Sequence, residues 1–156
     1  MKLHYIIAAL LAIATVSGCD NATDNSSSNT SESAQTVSYN YISAEDVAKA
    51  IRAKEKITVL DIQPKDKFDK QHIVDAVPTY AYPAKTDEEK AVLKDALAKI
   101  APENKIIVVC PGGKSGATNT INYYREQGVD NARLYILEKG ANGWPADQLS
   151  DVTVKQ

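Results

Sequence analysis

Lys105-Ile106-Ile107-Val108-Val109-Cys110 is a single lysine followed by an unbroken apolar, mostly β-branched run, and Pro111-Gly112-Gly113-Lys114-Ser115-Gly116 comes directly after it. A strand buried on both faces shows continuous rather than alternating apolar character. The run therefore reads as the central strand of a parallel sheet. Residues 117–127 read as a helix, with Gly128 as the stop just past its end. Strand, glycine-rich turn and helix in this order place Cys110 at the carboxyl end of a central strand. That is where open parallel sheets hold their ligands.

Working outward, the flanking segments repeat the alternation. Residues 132–137 (Ala-Arg-Leu-Tyr-Ile-Leu) read as a further strand, and Gly140, Gly143, Trp144 and Pro145 as a final turn region. Upstream, Thr86 with Glu89 has the form of a capping box, and Val92, Leu93, Leu97 and Ile100 mark an amphipathic helix. Residues 63–85 read mostly as loop, punctuated by Pro64, Pro78 and Pro83. Residues 56–62 (Lys-Ile-Thr-Val-Leu-Asp-Ile) read as a buried strand. Before them Ser43 and Asp46 cap a helix that turns Val47, Ala50 and Ile51 to one face. The expectation is one α/β domain, a mainly parallel central sheet flanked by helices.

Composition narrows the chemistry. The 156 residues carry 18 Lys plus Arg and 20 Asp plus Glu, a net charge of -2, so there is no basic footprint for nucleic acid. Two cysteines, Cys19 and Cys110, exclude a disulfide scaffold and a four-cysteine zinc site. The two histidines are His4 and His72, too few for a histidine-built metal centre. No metal and no organic cofactor is expected.

Reactivity then concentrates on Cys110. Gly112, Gly113 and Gly116, three of the chain's seven glycines, stand within six residues of it. Glycine lets backbone N–H groups approach a ligand closely, and the helix that follows aims its positive end at the same place. Such a cradle favours a thiolate ready to attack an electrophile. A lone cysteine ending a strand is commonly an apolar filler instead; the loop behind this one is what makes it a nucleophile. Gly113-Lys114-Ser115 also imitates a nucleotide-binding loop, but that pattern needs a glycine where Val108 stands. His72 and Asp61 read as structural support for the loops rather than as proton-transfer groups, and Trp144 as a lid on the core. Tyr123 and Tyr124 are adjacent on one helix, so only one of them faces the core.

The amino-terminal segment reads as an address. Lys2 and His4 precede an apolar run from Tyr5 to Val16. It is too short to span a hydrocarbon layer of about 30 Å comfortably, and has the length of a signal peptide's apolar part. Val16-Ser17-Gly18-Cys19 resembles the lipobox of bacterial lipoproteins. That resemblance implies cleavage before Cys19 and a lipid on its thiol. Residues 20–38 are rich in Ser, Asn and Thr and hold too little apolar surface to offset chain entropy. The expected organisation is a signal peptide over 1–18, a lipid-anchored disordered tether over 19–38, a domain over 39–150 and a carboxyl-terminal tail over 151–156. The expected location is the bacterial cell envelope, anchored to the membrane through Cys19 and facing the periplasm. Asp20 resembles a signal that retains a lipoprotein at the inner membrane.

Over residues 40–148 the chain resembles the rhodanese family. Val59-Leu60-Asp61-Ile62 is similar to the strand opening the family's first signature, and Phe68, His72-Ile73 and Ala76-Val77-Pro78 to its continuation. Cys110 with Gly113 matches the Cys-x-x-Gly active loop. Leu137-Glu138-Lys139-Gly140 and Trp144 are similar to the closing segment. The resemblance implies a rhodanese-like fold and a sulfurtransferase with Cys110 as nucleophile and persulfide carrier. Gly112, Gly113, Lys114, Ser115 and Gly116 would bind the substrate, a small anionic sulfur donor such as thiosulfate. The acceptor would be a thiol or cyanide.

Three positions depart from the family pattern. Gln63 stands where the family commonly has Arg, Gln71 where it has Gly, and Ser115 where the active loop carries Arg. Lys114 is one residue earlier, a point charge without the bidentate fork of Arg. Gly116 stands where related phosphatases hold phosphate with Arg, which argues against that chemistry. A catalytically weak or inactive module for partner binding or redox sensing is the alternative reading.

Overall fold

The computed structural model describes residues 38–156. The expected signal peptide, the lipidation site Cys19 and all but the last residue of the expected tether lie outside the described residues.

Strands β1 (Asn40–Ile42), β2 (Ile57–Asp61), β4 (Val77–Pro78), β5 (Lys105–Val109) and β6 (Leu134–Leu137) form one sheet in the order β1-β6-β5-β2-β4. Every pairing in it is parallel. The helices are α1 (Ala44–Arg52), α2 (Lys65–Lys70), α3 (Asp87–Leu97) and α4 (Ser115–Glu126). A separate antiparallel pair joins β3 (Gln71–Ile73) to β7 (Thr153–Lys155).

β5 is central, as its continuous apolar run requires. Ile106 and Val108 pack into a core with Leu93 of α3 and Ala117, Ile121 and Tyr124 of α4. Ile107 and Val109 point to the opposite core, with Ala44, Val47 and Ala48 of α1, Trp144, Leu149 and Val152. Successive residues of a strand face opposite sides, so both faces must be apolar when both are covered. Cys110 continues the alternation and falls on the α4 side.

The caps form largely where the sequence places them. The Thr86 hydroxyl accepts the Glu89 N–H, and the Glu89 carboxylate accepts the Thr86 N–H, a complete capping box for α3. At α1 the Ser43 hydroxyl accepts the Asp46 N–H. It then donates to the Asp46 carboxylate, so the return bond to the backbone is replaced by a side-chain one. Tyr124 is fully buried, its hydroxyl donating to the Leu93 carbonyl, while Tyr123 stays at the surface edge.

Four expectations need correction. Residues 63–85 are not mostly loop: α2, β3 and β4 all lie there. Each is too short to show a period, and α2 buries a single side chain, Phe68, which stacks on His72. Residues 153–155 of the expected tail form β7, where Gln71 pairs with Lys155 and Ile73 with Thr153. The Trp144 indole N–H donates to the Thr153 hydroxyl at 2.7 Å and fixes that strand from the core side. Helix α4 starts at Ser115, two residues earlier than its apolar stripe suggests. Val92 points to solvent, and the buried stripe of α3 runs through Leu93 and Ala96.

Candidate active site at the end of β5

Cys110 follows the last residue of β5 and is only 1% exposed. It sits in the same core as Ile62, Ala81 and Ala117. Its backbone is clamped from the turn after β6. The Ala141 N–H donates to the Cys110 carbonyl and the Asn142 N–H to the Pro111 carbonyl, both at 2.9 Å.

The clamp explains two of the glycines. Gly140 has φ +58°, and a Cβ there would meet the Cys110 carbonyl oxygen and the Gly113 nitrogen. Gly113 has φ +65°, and a Cβ there would lie 2.7 Å from the Leu137 oxygen and the Gly140 nitrogen. Left-handed backbone at close approach to other backbone admits only glycine without strain. Gly112 is different, since a Cβ there meets nothing within 4 Å. At Gly116 the neighbour is a side chain: a Cβ would lie 2.8 Å from two ring carbons of Tyr82.

Polar atoms converge on the loop. Helix α4 has no side-chain cap, and Lys114 occupies its cap position. Among the described residues, the N–H groups of Gly112, Gly113, Lys114, Ser115, Gly116 and Ala117 find no acceptor within the protein. The first intrahelical-type bond is Thr118 N–H to the Lys114 carbonyl. Unsatisfied amides at the positive end of a 12-residue helix attract an anion. The Lys114 and Ser115 side chains are exposed at the rim.

The structure thus brings Cys110 and residues 112–116 together. It does not bring Asp61 and His72 to them. These two line a cavity on the opposite face of the sheet, with Gln63, Val109, Ala141 and Trp144. The His72 Nδ1–H donates to the Phe68 carbonyl at 2.8 Å. Asp61 is fully buried and accepts the Gln63 backbone N–H at 2.9 Å and its side-chain Nε2–H at 3.0 Å. Its main-chain carbonyl accepts from the N–H and the hydroxyl of Thr79. Asp61 thus ties Gln63 and Thr79 to the end of β2, and His72 is tied back to α2. Gln63 fills the place of the family's arginine with a neutral amide, so the side chain that bonds the Asp61 carboxylate carries no charge.

Burial pushes the Asp61 carboxyl above its ordinary value of 3.8, and the Gln63 hydrogen bonds and His72 only partly oppose this. A carboxyl raised in the folded state contributes stability below its unfolded value and loses it as pH rises through the folded value. Asp61→Asn should therefore gain stability relative to the parent as pH climbs above the ordinary aspartate range. Urea midpoints of both proteins between acid and neutral pH measure this, and parallel curves would refute it.

The sequence barely marks Tyr82. Its one signal there is a bulky aromatic beside Pro83 in a segment rich in small residues.

The family model described as Rhodanese-like domain matches residues 43–147. No curated protein matches the chain. Among solved structures, the BH2092 protein from Bacillus halodurans is similar at 22% identity and a TM-score of 0.55, covering 70% of this chain and 73% of that one. An As-Sb reductase from Leishmania major gives 18% identity and a TM-score of 0.53, covering 74% and 81%. A thiosulfate sulfurtransferase from Pseudomonas aeruginosa gives 20% and 0.51, covering 70% of this chain but 19% of that longer one.

Proposed function

The chain belongs to the rhodanese-like domain family, and from that premise we propose that it is a sulfurtransferase that carries sulfane sulfur as a persulfide on Cys110. One observation supports this above the others: six consecutive backbone amides, residues 112–117, lack acceptors among the described residues, around a cysteine at the end of the central strand. Pro111 has no N–H to contribute.

The chemistry is a double displacement. The Cys110 thiolate attacks the outer sulfur of thiosulfate. The sulfur–sulfur bond of the donor breaks, and sulfite leaves with its electron pair. The resulting persulfide anion lies against the amides of the loop and the start of α4. A thiol or cyanide then attacks the terminal sulfur, and the electron pair returns to Cys110 as thiolate. Cyanide leaves as thiocyanate. Both half-reactions carry negative charge at one place, which fixed dipoles stabilise without rearrangement. Thiocyanate release from thiosulfate and cyanide tests the proposal; a rate no greater than the protein-free mixture would contradict it.

Lys114 supplies the one full positive charge in the loop. Lys114→Ala should raise the KM for thiosulfate about fivefold, the scale of one solvent-screened charge at short range, with kcat nearly unchanged. The difference should shrink as salt is added. An unchanged KM at low salt would remove Lys114 from donor binding.

A second reading has specific support: the loop carries no arginine and the thiol is almost wholly buried. In it the domain binds a partner or senses redox state through Cys110 and turns over no donor. We further propose that the chain is held in the bacterial cell envelope by a lipid on Cys19, facing the periplasm. Release of the protein from membranes on Cys19→Ala is the expected result. Continued membrane association of that variant would contradict it.

A further inference from the structure

A nucleophile that is 1% exposed meets no donor unless part of its surroundings moves. Most of the surroundings are fixed. On one side, the Cys110 and Pro111 carbonyls are bonded to Ala141 and Asn142, and Gly113 and Gly140 pack backbone against backbone. On another, the Ile62 N–H donates to the Val109 carbonyl, and Ile62 is fully buried. Ala117 and Ile121 of α4 are fully buried too.

The segment from Tyr80 to Ala84 is anchored through Ala81 and Ala84, each 2% exposed, and through the Pro83 carbonyl, which accepts the Asn119 side-chain N–H, but the Tyr82 side chain within it is less enclosed. The segment is bounded by two left-handed residues, Tyr80 at φ +56° and Ala84 at φ +64°. Tyr80 is held in place by an edge-on contact with Phe68 and by Lys65 over its ring. The Tyr82 ring has no aromatic partner, and its hydroxyl forms no hydrogen bond among the described residues. It is 39% exposed and lies against Gly116, over the first turn of α4. Gly116 lacks the Cβ that would displace this ring, and Ile62 lies beside the same spot at 3.3 Å.

We propose that Tyr82 is the gate of the Cys110 site: its ring covers the amide end of α4, swings off Gly116 to admit the donor, and selects small reactants over bulky ones. This inference rests on the reading of Cys110 as the reacting thiol. Tyr82 is a positioning and selectivity residue and takes no part in bond making. With 39% of the residue exposed and no hydrogen bond on its hydroxyl among the described residues, the ring swings about its own side-chain torsions without unfolding the core.

The test is alkylation of Cys110 in the folded protein, which needs no sulfur donor and so fails or succeeds independently of sulfur transfer. Iodoacetamide is the small reagent and N-ethylmaleimide the bulkier one, and modification is read as the mass of the Cys110 peptide. Tyr82→Ala should speed the iodoacetamide reaction about tenfold and the N-ethylmaleimide reaction by more. Tyr82→Phe, which keeps the ring, should stay within about twofold of the parent with both reagents. Gly116→Ala approaches the gate from the other side: the new methyl must push the ring away, so alkylation should also accelerate. That variant keeps the proposal testable even if Tyr82→Ala folds poorly. Parent-like rates in Gly116→Ala would overturn the gate, as would equal acceleration in Tyr82→Phe and Tyr82→Ala.

Discussion

Cys110→Ser should reduce thiocyanate production to the level of the protein-free mixture while leaving the unfolding midpoint close to that of the parent. Serine has nearly the shape of cysteine, and Cys110 is small, buried and free of any disulfide. Its hydroxyl is a far weaker nucleophile at neutral pH and forms no persulfide. Every step of the double displacement passes through this one sulfur, so nothing else in the site substitutes for it. Loss of a sole covalent nucleophile commonly costs on the order of a thousandfold or more. Stability is a separate axis. The fold around residue 110 depends on its carbonyl, which accepts the Ala141 N–H, and the substitution leaves that bond in place. A Cys110→Ser protein that still makes thiocyanate at a rate near the parent's would place the reacting group elsewhere.

Gly140→Ala should be the most damaging single methyl in the domain. Gly140 sits at φ +58°, where an L side chain is strained, and its Cβ would run into the carbonyl oxygen of Cys110. It would also meet the Gly113 nitrogen and lie 2.8 Å from the Gly112 nitrogen. All three obstacles are backbone, so no rotamer change relieves them. Moving Cys110 away breaks its bond from Ala141, and moving Gly113 deforms the cradle. Backbone strain with an unrelieved clash amounts to about 3 kcal/mol or more. Gly112→Ala is the internal comparison, because a Cβ there meets nothing within 4 Å. Its stability should stay within about 0.5 kcal/mol of the parent. Urea midpoints for the two variants decide the matter. Equal midpoints would mean that the clasp between the β6 turn and the active loop does not hold the site.

How much of this was legible in the sequence follows from length and period. β5 announced itself because a strand covered on both sides has no polar position to interrupt it. The candidate site is legible because three glycines and a helix start follow Cys110. Both helix caps rest on local spacing; the α3 box forms completely, and at α1 only the Ser43 hydroxyl's bond from the Asp46 N–H does. The short elements gave no signal, since α2, β3, β4 and β7 are between two and six residues long. A pair of three-residue strands such as β3 and β7 exists only because residues 71–73 and 153–155 meet in space, which no local pattern encodes. Gly140 could be read as a turn residue, but not as the partner of Cys110 across the sheet end. Tyr82 was invisible for the same reason: its importance lies in resting on Gly116, 34 positions further along the chain. The sequence holds no hint that Asp61 and His72 share a cavity with Trp144 on the face away from the thiol. The need to compensate Asp61, met in part by Gln63 and His72, becomes apparent only once its burial is known.

The central claim is that Cys110 accepts a sulfur atom. Its most direct test is the intact mass of the purified protein after thiosulfate treatment and removal of excess donor. The account predicts a gain of one sulfur atom in the parent, none in Cys110→Ser, and return to the starting mass when cyanide is added. An unchanged mass in the parent under donor excess, with Cys110 still a free thiol, would contradict it and leave the domain as a binding or sensing module.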